Sequence, residues 1–161
     1  MPRRDPAKAV QTLNAMLEYF DGGRRWMRLR LRDASGQHRC LIGTLHHVRR
    51  QERIRGCGTE FYLRAALLSL HDDPLDPLIE RVMARSSGEL DSGYDDLMSY
   101  NDDDLSYDHV RTLIVEARTL AQAELDAARD SERRDRRTPT TSANRVADAR
   151  AALSKIVSTN R

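Results

Sequence analysis

The feature that most constrains the fold is a set of apolar residues that recur at helical spacing in separate segments of the chain. Before the first segment, Asp5 and Pro6 occupy the positions preferred for an N-cap and a first helical residue, and Gly22 and Gly23 end the pattern. The two clearest stripes are Val10, Leu13, Leu17 and Phe20 and, much later, Val110, Leu113, Ile114, Ala117, Leu120 and Ala121. These stripes predict amphipathic helices that share a core.

Further helices are predicted in the middle of the chain. Residues 59–70 are strongly helical in pattern, with Thr59 as the predicted N-cap. Asp76 and Pro77 form a second cap pair, which predicts a helix through Met83. The segment 41–48 fits a helix as well as a strand, and the pattern leaves both open.

One segment has a different period. In "RRWMRLRLR", residues 24–32, Met27, Leu29 and Leu31 alternate with Trp26 and a row of arginines. Alternation of this kind indicates a strand with one buried face. Residues 33–37 are typical of a turn, and "HRCLIG" can return as a second strand, so we predict a β-hairpin over about residues 25–42. The predicted fold class is α+β, mostly α, with about five helices around one hairpin.

Length and cysteine content set further expectations. The 161 residues suit a single globular domain over 1–127, a charged flexible linker over 128–142 and a C-terminal amphipathic helix over 143–161. No apolar run approaches the ~18 residues that span a membrane, and no signal peptide is recognisable, so we expect no membrane partner. With only Cys40 and Cys57 present, we expect reduced thiols and a cytoplasmic location.

Charge is strongly segregated along the chain. Residues 1–70 hold 14 basic and 6 acidic residues, whereas residues 71–110 hold 2 basic and 12 acidic ones. The candidate nucleic-acid-binding face is the outer side of the predicted hairpin: Arg24, Trp26, Arg28, Arg30, Arg32 and Arg39. Arginines would contact phosphates, and the ring would stack on a base. Alternatively, this face is solvated and pairs with the acidic segment 91–104, or it binds an acidic protein.

The segment "SYNDDDLSYDHV", residues 99–110, raises the question of a metal site. Its carboxylates do not have the spacing of a Ca²⁺ loop. Asn101 and Asp102 are typical of a turn, and Ser106 is the predicted N-cap of the helix that follows. We therefore assign these three residues a structural role.

Other catalytic or metal motifs are weak. The histidines and cysteines lack the spacing of a structural zinc site, and there is no phosphate-binding loop. We expect no metal and no cofactor. The predicted function is a non-enzymatic accessory or interaction domain. One alternative is a weak, sequence-independent nucleic-acid binder, and another is a metal- or Cys-dependent hydrolase around Cys40, His46 and Asp102.

Two motifs resemble those of a known family. "CLIGTL" at 40–45 and "SYNDDDLSYDHVRTLIVEA" at 99–117 are similar to the Cys-x-x-Gly-Ala-Leu and Trp-Asn-Asp motifs of an uncharacterised domain family of bacteria and their phages. This chain departs from that pattern at Thr44, Tyr100, Leu105, Ser106 and His109, the last of which replaces a capping-box Glu. The resemblance implies a fold, with Asn101 and Asp102 as an architectural turn, and no particular reaction.

Overall fold

The computed structural model describes residues 4–54, 58–70, 94–102 and 106–137. Within these ranges the chain forms five α-helices: α1 (Pro6–Phe20), α2 (Leu41–Gln51), α3 (Thr59–Leu70), α4 (Asp95–Asp102) and α5 (Tyr107–Arg137). A 3₁₀ turn, Asp21–Gly23, follows α1. By its contacts the chain divides into two units, with the boundary after Leu125 inside α5.

The first helix has the predicted ends. The Asp5 carboxylate accepts a hydrogen bond from the Lys8 amide at 3.1 Å, and Pro6 is the first helical residue. At the other end, Asp21 and Gly22 adopt the left-handed conformation, with φ of 48° and 65°. Both the cap pair and the glycine stop are therefore confirmed.

The ambiguity over residues 41–48 is resolved in favour of a helix. Cys40 is the N-cap of α2, and its Sγ accepts a hydrogen bond from the Gly43 amide at 3.3 Å. A side-chain acceptor at this point satisfies an amide that a helix start leaves unpaired. The prediction of a helix over 59–70 is confirmed, although Thr59 is its first residue instead of its cap.

The core is built from one face of each helix in the first unit. Its fully buried side chains include Leu13, Met16, Phe20, Leu45, Leu63, Leu97, Leu113 and Ile114. Ion pairs between Arg49 and Glu60 and between Arg64 and Asp96 join α2 to α3 and α3 to α4. Because these pairs are largely shielded from water, they also fix the relative positions of the helices.

The predicted β-hairpin is wrong. Residues 24–40 contain no strand, and the only β-pairings in this described segment are isolated bridges from Arg39 to Trp26 and to Arg32. Leu29 adopts a φ of 64°, and the Arg30 amide donates to the Arg28 carbonyl at 2.8 Å. Such a tight turn interrupts a strand, so the fold of the described residues is helical with a long irregular loop.

The orientation inferred from the alternation is also reversed. Trp26 packs against the core, whereas Leu29 is 73% exposed and Leu31 is 47% exposed. Period-two alternation assigns the apolar residues to the buried face only when the segment is an extended strand. The turn at Leu29 removes that condition.

The second half of the chain differs from the prediction at α4 and α5. The prediction of a turn at Asn101 and Asp102 is wrong, since both residues belong to the last turn of helix α4. Helix α5 continues to Arg137, inside the range 128–142 that was assigned to a linker. The predicted helix that begins at Asp76–Pro77 and the C-terminal helix over 143–161 lie outside the described residues. None of the helices described is both long and apolar enough to cross a membrane.

Candidate functional site

A buried asparagine organises the irregular loop. Asn101 is fully buried, and its Oδ1 accepts hydrogen bonds from Trp26 Nε1 at 2.9 Å and from the Leu41 amide at 3.0 Å. Its Nδ2 donates to the Met27 carbonyl at 3.3 Å and to Asp102 Oδ1 at 2.9 Å. Both N–H groups and both lone pairs of the amide are thus used. The side chain ties the end of α4 to the loop and to the start of α2.

Asp102 extends this arrangement to the turn. Its Oδ1 accepts from the Leu29 amide at 2.7 Å, and its backbone carbonyl accepts from Arg28 Nη2 at 3.0 Å. These bonds hold Leu29 in a conformation that costs a non-glycine residue ~1–2 kcal/mol. We call Trp26, Met27, Arg28, Leu29, Leu41, Asn101 and Asp102 the Asn101 hub.

Cys40 and Gly43 complete the junction between the loop and α2. A Cβ atom at Gly43 would overlap the Leu31 carbonyl oxygen, so only glycine permits the loop to lie this close. Burial raises the pKa of the Cys40 thiol above its usual value. Such a thiol carries little of the thiolate that a cysteine nucleophile requires. The Cys-x-x-Gly spacing therefore has a complete structural explanation.

Ser106 stands directly before α5, but among the described residues no backbone amide donates a hydrogen bond to its hydroxyl oxygen. Instead, the Ser106 amide donates to Nδ1 of His109 at 3.3 Å, and its hydroxyl lies 3.1 Å from the same atom. The His109 ring thus takes the place of the glutamate in a capping box. Together with the Ser106 carbonyl, which accepts from the His109 amide, it closes the first turn.

A second site opens between the loop and α2. It is a surface pocket of about 250 Å³, which we call the basic pocket, lined by Leu31, Arg32, Arg39, Gly43, His46, His47 and Arg50. The loop supplies Arg32 and Arg39, and α2 supplies the two histidines and Arg50. On a helix, residues three and four apart are neighbours, so Arg50 lies beside both His46 and His47, whose own directions differ by about 100°.

The described residues that line the pocket make it positively charged, since three of them are arginines and none is a carboxylate. Arg39 donates through Nε to the Tyr19 hydroxyl at 3.1 Å. Within the described part of the chain, Arg32 and Arg50 have no ion pair and no side-chain hydrogen bond. An arginine-rich concavity without its own counter-charge concentrates a positive field and attracts anions.

The two histidines respond to this environment. Burial lowers the pKa of His46 below its usual value, and the charges of Arg49 and Arg50 lower it further, against an opposing effect of Glu60. Burial also lowers the pKa of His47, with smaller contributions from Arg39 and Arg50. Both rings are therefore mainly neutral at pH 7 while the pocket is empty, and an anion nearby would favour their protonation.

The proposed nucleic-acid face is divided by the fold. Trp26 and Arg28 belong to the Asn101 hub, whereas Arg32 and Arg39 line the basic pocket. Arg24 is exposed and lies 3.5 Å from the Asp21 carboxylate; Arg30 is exposed too.

The sequence points to His46 and His47 only as metal or catalytic residues, and to Arg50 only as a basic residue that follows the predicted hairpin; it places none of them beside Arg32 and Arg39. The signal was available in the helical alternative for residues 41–48, because a helix brings these three side chains together.

Other kinds of site find no support in the described residues. They contain no group of three His, Cys, Asp or Glu side chains that could hold a metal ion. Comparison with known proteins finds no matching family model, curated protein or solved structure. The resemblance to the bacterial and phage family therefore stays a prediction.

Proposed function

We propose that this chain is a non-enzymatic interaction module that binds the phosphate backbone of a nucleic acid through the basic pocket. The observation that carries the proposal is the convergence of Arg32, Arg39 and Arg50 on one concavity, where no carboxylate of the described residues lies. Guanidinium groups bind phosphate oxygens with two parallel hydrogen bonds, and each phosphate neutralised releases counterions. Contacts of this kind do not depend on base sequence.

The proposed mode of binding relies on phosphate contacts and not on stacking. The only tryptophan, Trp26, has its indole N–H bonded to Asn101 and its ring packed against the core. A base would have to displace this ring from the hub before it could stack on its face. We therefore assign the binding energy to the arginines.

The chain's own acidic segment is a weaker candidate for neutralising the pocket. Of the carboxylates in this segment that the structure describes, Asp96 is paired with Arg64, and Asp102 accepts from the Leu29 amide and from Asn101 Nδ2. Neither carboxylate lines the pocket. Residues 91–93, 103 and 104 lie outside the described part of the chain.

A second candidate is an acidic protein partner. Leu29 and Leu31 are large, exposed apolar residues on the loop that supplies Arg32, and Leu31 itself lines the pocket. Apolar anchors with a basic rim suit a protein surface that combines carboxylates with an apolar patch. For either partner we propose a cytoplasmic location, which rests on the cysteine content and on the free, buried thiol of Cys40.

The test is a titration of the full chain with fluorescently labelled single-stranded DNA, double-stranded DNA and single-stranded RNA at low and moderate salt. We expect affinity that falls with salt for all three, and a loss of about tenfold or more in the Arg32→Glu, Arg50→Glu double variant. Arg111→Glu is the single-charge control, since Arg111 is exposed and lies outside the pocket lining. The matched single variants, Arg32→Glu and Arg50→Glu, should each lose more affinity than this control.

Two results would overturn the proposal. One is an absence of binding to all three nucleic acids even at low salt. The other is an equal loss of affinity in Arg111→Glu and in each single pocket variant, because binding would then follow net charge and not the pocket.

A further inference from the structure

The basic pocket has more donors than one internal phosphate of a nucleic acid can use. Each arginine carries five N–H groups, and three arginines line the pocket beside two histidine rings. An internal phosphodiester has one negative charge and two oxygens that are not part of the chain. A terminal phosphate group carries about −1.5 to −2 charge at pH 7 and has three strong acceptor oxygens. The terminal phosphate group therefore matches the number of N–H donors in the pocket better than an internal phosphodiester does.

The size of the pocket also favours a terminal phosphate group over an internal one. Its volume of about 250 Å³ is below the ~300–1,000 Å³ of sites that enclose a whole small molecule. The pocket can therefore take a phosphate group with a few waters, while the attached nucleotide stays outside. An internal phosphate, which continues into the chain on both sides, would reach the same depth only if the strand bent sharply.

The two histidines of the pocket would take up protons when a dianion binds. His46 faces the Tyr94 ring at 5.1 Å and has Arg49, Arg50 and Glu60 around it, while His47 faces the Tyr19 ring at 4.9 Å and has Arg39 and Arg50 around it. Because the pKa of each ring is lowered in the free protein, a bound dianion would raise it and draw in a proton. Affinity for a dianion should then increase as the pH falls from 8 towards 6.5.

We propose that the basic pocket binds the terminal phosphate group of a nucleic-acid strand in preference to its internal phosphates. The proposal rests on the proposed function and names the part of the nucleic acid that enters the pocket. Arg32, Arg39 and Arg50 hold the phosphate oxygens, and His46 and His47 add charge when the group is bound.

The test compares three single-stranded DNA oligonucleotides with a fluorescent label at the 3′ end: one with a 5′-phosphate, one with a 5′-hydroxyl, and a 5′-hydroxyl strand two nucleotides longer, whose two additional phosphodiesters match the charge of the terminal phosphate. The longer strand controls for the additional charge. We expect the 5′-phosphorylated strand to bind about tenfold more tightly than both others, and inorganic phosphate to compete with that preference. A parallel set with a 3′-phosphate and a 5′ label shows which terminus the pocket takes.

Two conservative variants distinguish a preference for the terminal phosphate from non-specific electrostatic attraction of the strand to the protein. Arg50→Gln should keep weak binding to all strands and lose the preference for the phosphorylated one. The His46→Gln, His47→Gln variant should retain part of the preference but lose its increase between pH 8 and pH 6.5.

The outcomes distinguish the two proposals. Equal affinity for the 5′-phosphorylated strand and the longer 5′-hydroxyl strand, with the 3′ set also equal, overturns the preference for a terminal phosphate and leaves the proposed function intact. A preference that survives in Arg50→Gln overturns the assignment to the pocket. If no strand binds, the proposed function fails and the preference fails with it.

Discussion

The Asn101 hub and the basic pocket share the irregular loop and helix α2, and the hub also includes the end of α4. Their polar groups differ in burial and in hydrogen bonding. In the hub, the Asn101 amide is buried and all of its hydrogen-bonding positions are used. In the pocket, Arg32 and Arg50 have no ion pair among the described residues and line an open cavity. Buried, satisfied polar groups fix one conformation, whereas arginines that line an open cavity attract anions.

Because of this difference, we expect hub residues to determine the stability of the fold and pocket residues to determine binding. Removing a hub side chain leaves buried groups without partners, which is costly in the folded state. Removing Arg32 or Arg50 takes away a side chain that has no ion pair and no side-chain hydrogen bond among the described residues. We therefore expect variants of the two sites to affect different measurements.

The largest expected effect on stability is that of Asn101→Ala. This change leaves Trp26 Nε1, the Leu41 amide and the Met27 carbonyl without their partner, and we expect a loss of about 2–4 kcal/mol in the free energy of unfolding. Denaturant unfolding followed by circular dichroism measures it. Arg50→Gln is the control and should stay within about 0.5 kcal/mol of the parent. Similar losses in the two variants would remove the distinction between hub and pocket.

A smaller effect of opposite sign is expected for Leu29→Gly. Leu29 has a φ of 64° and an exposed side chain, so glycine relieves the backbone at little cost in packing. We expect a gain of about 0.5–1 kcal/mol, since the relief exceeds the added entropy of the unfolded chain. Thermal unfolding of the variant beside Leu31→Gly provides the comparison, because Leu31 is exposed without a positive φ. A fall in stability for Leu29→Gly would mean that the turn is not held as described.

The sequence predicted those parts of the fold that local residues determine. Asp5, Pro6 and Gly22 mark the ends of α1 through contacts within a few residues, and the apolar stripes of α1 and α5 identified core positions such as Leu13 and Leu113. Such features depend on capping and helical period alone.

The loop could not be predicted because its conformation depends on distant residues. Trp26 turns inward because its N–H finds Asn101, which is 75 positions later in the chain, and Leu29 is held by Asp102. The alternation of apolar residues by itself predicts a strand, and it carries no information about those distant partners. The prediction of a hairpin was therefore wrong.

Only the loop side of the basic pocket could be predicted, also because the rest depends on residues elsewhere in the chain. Arg32 and Arg39 stood out in the sequence, but their association with His46, His47 and Arg50 required α2 to be a helix and Gly43 to admit the loop. Cys40 capped that helix, which a sequence pattern alone does not reveal because Cys is not among the preferred N-cap residues.

The most direct test of the central claim is a two-dimensional NMR titration of the ¹⁵N-labelled chain with the 5′-phosphorylated oligonucleotide. We expect saturable shifts of the Gly43, His46, His47 and Arg50 amides, while the single indole N–H signal of Trp26 stays in place because it remains bonded to Asn101. A shift of the Trp26 indole with unmoved pocket amides would contradict binding in the basic pocket and would place it on the tryptophan face.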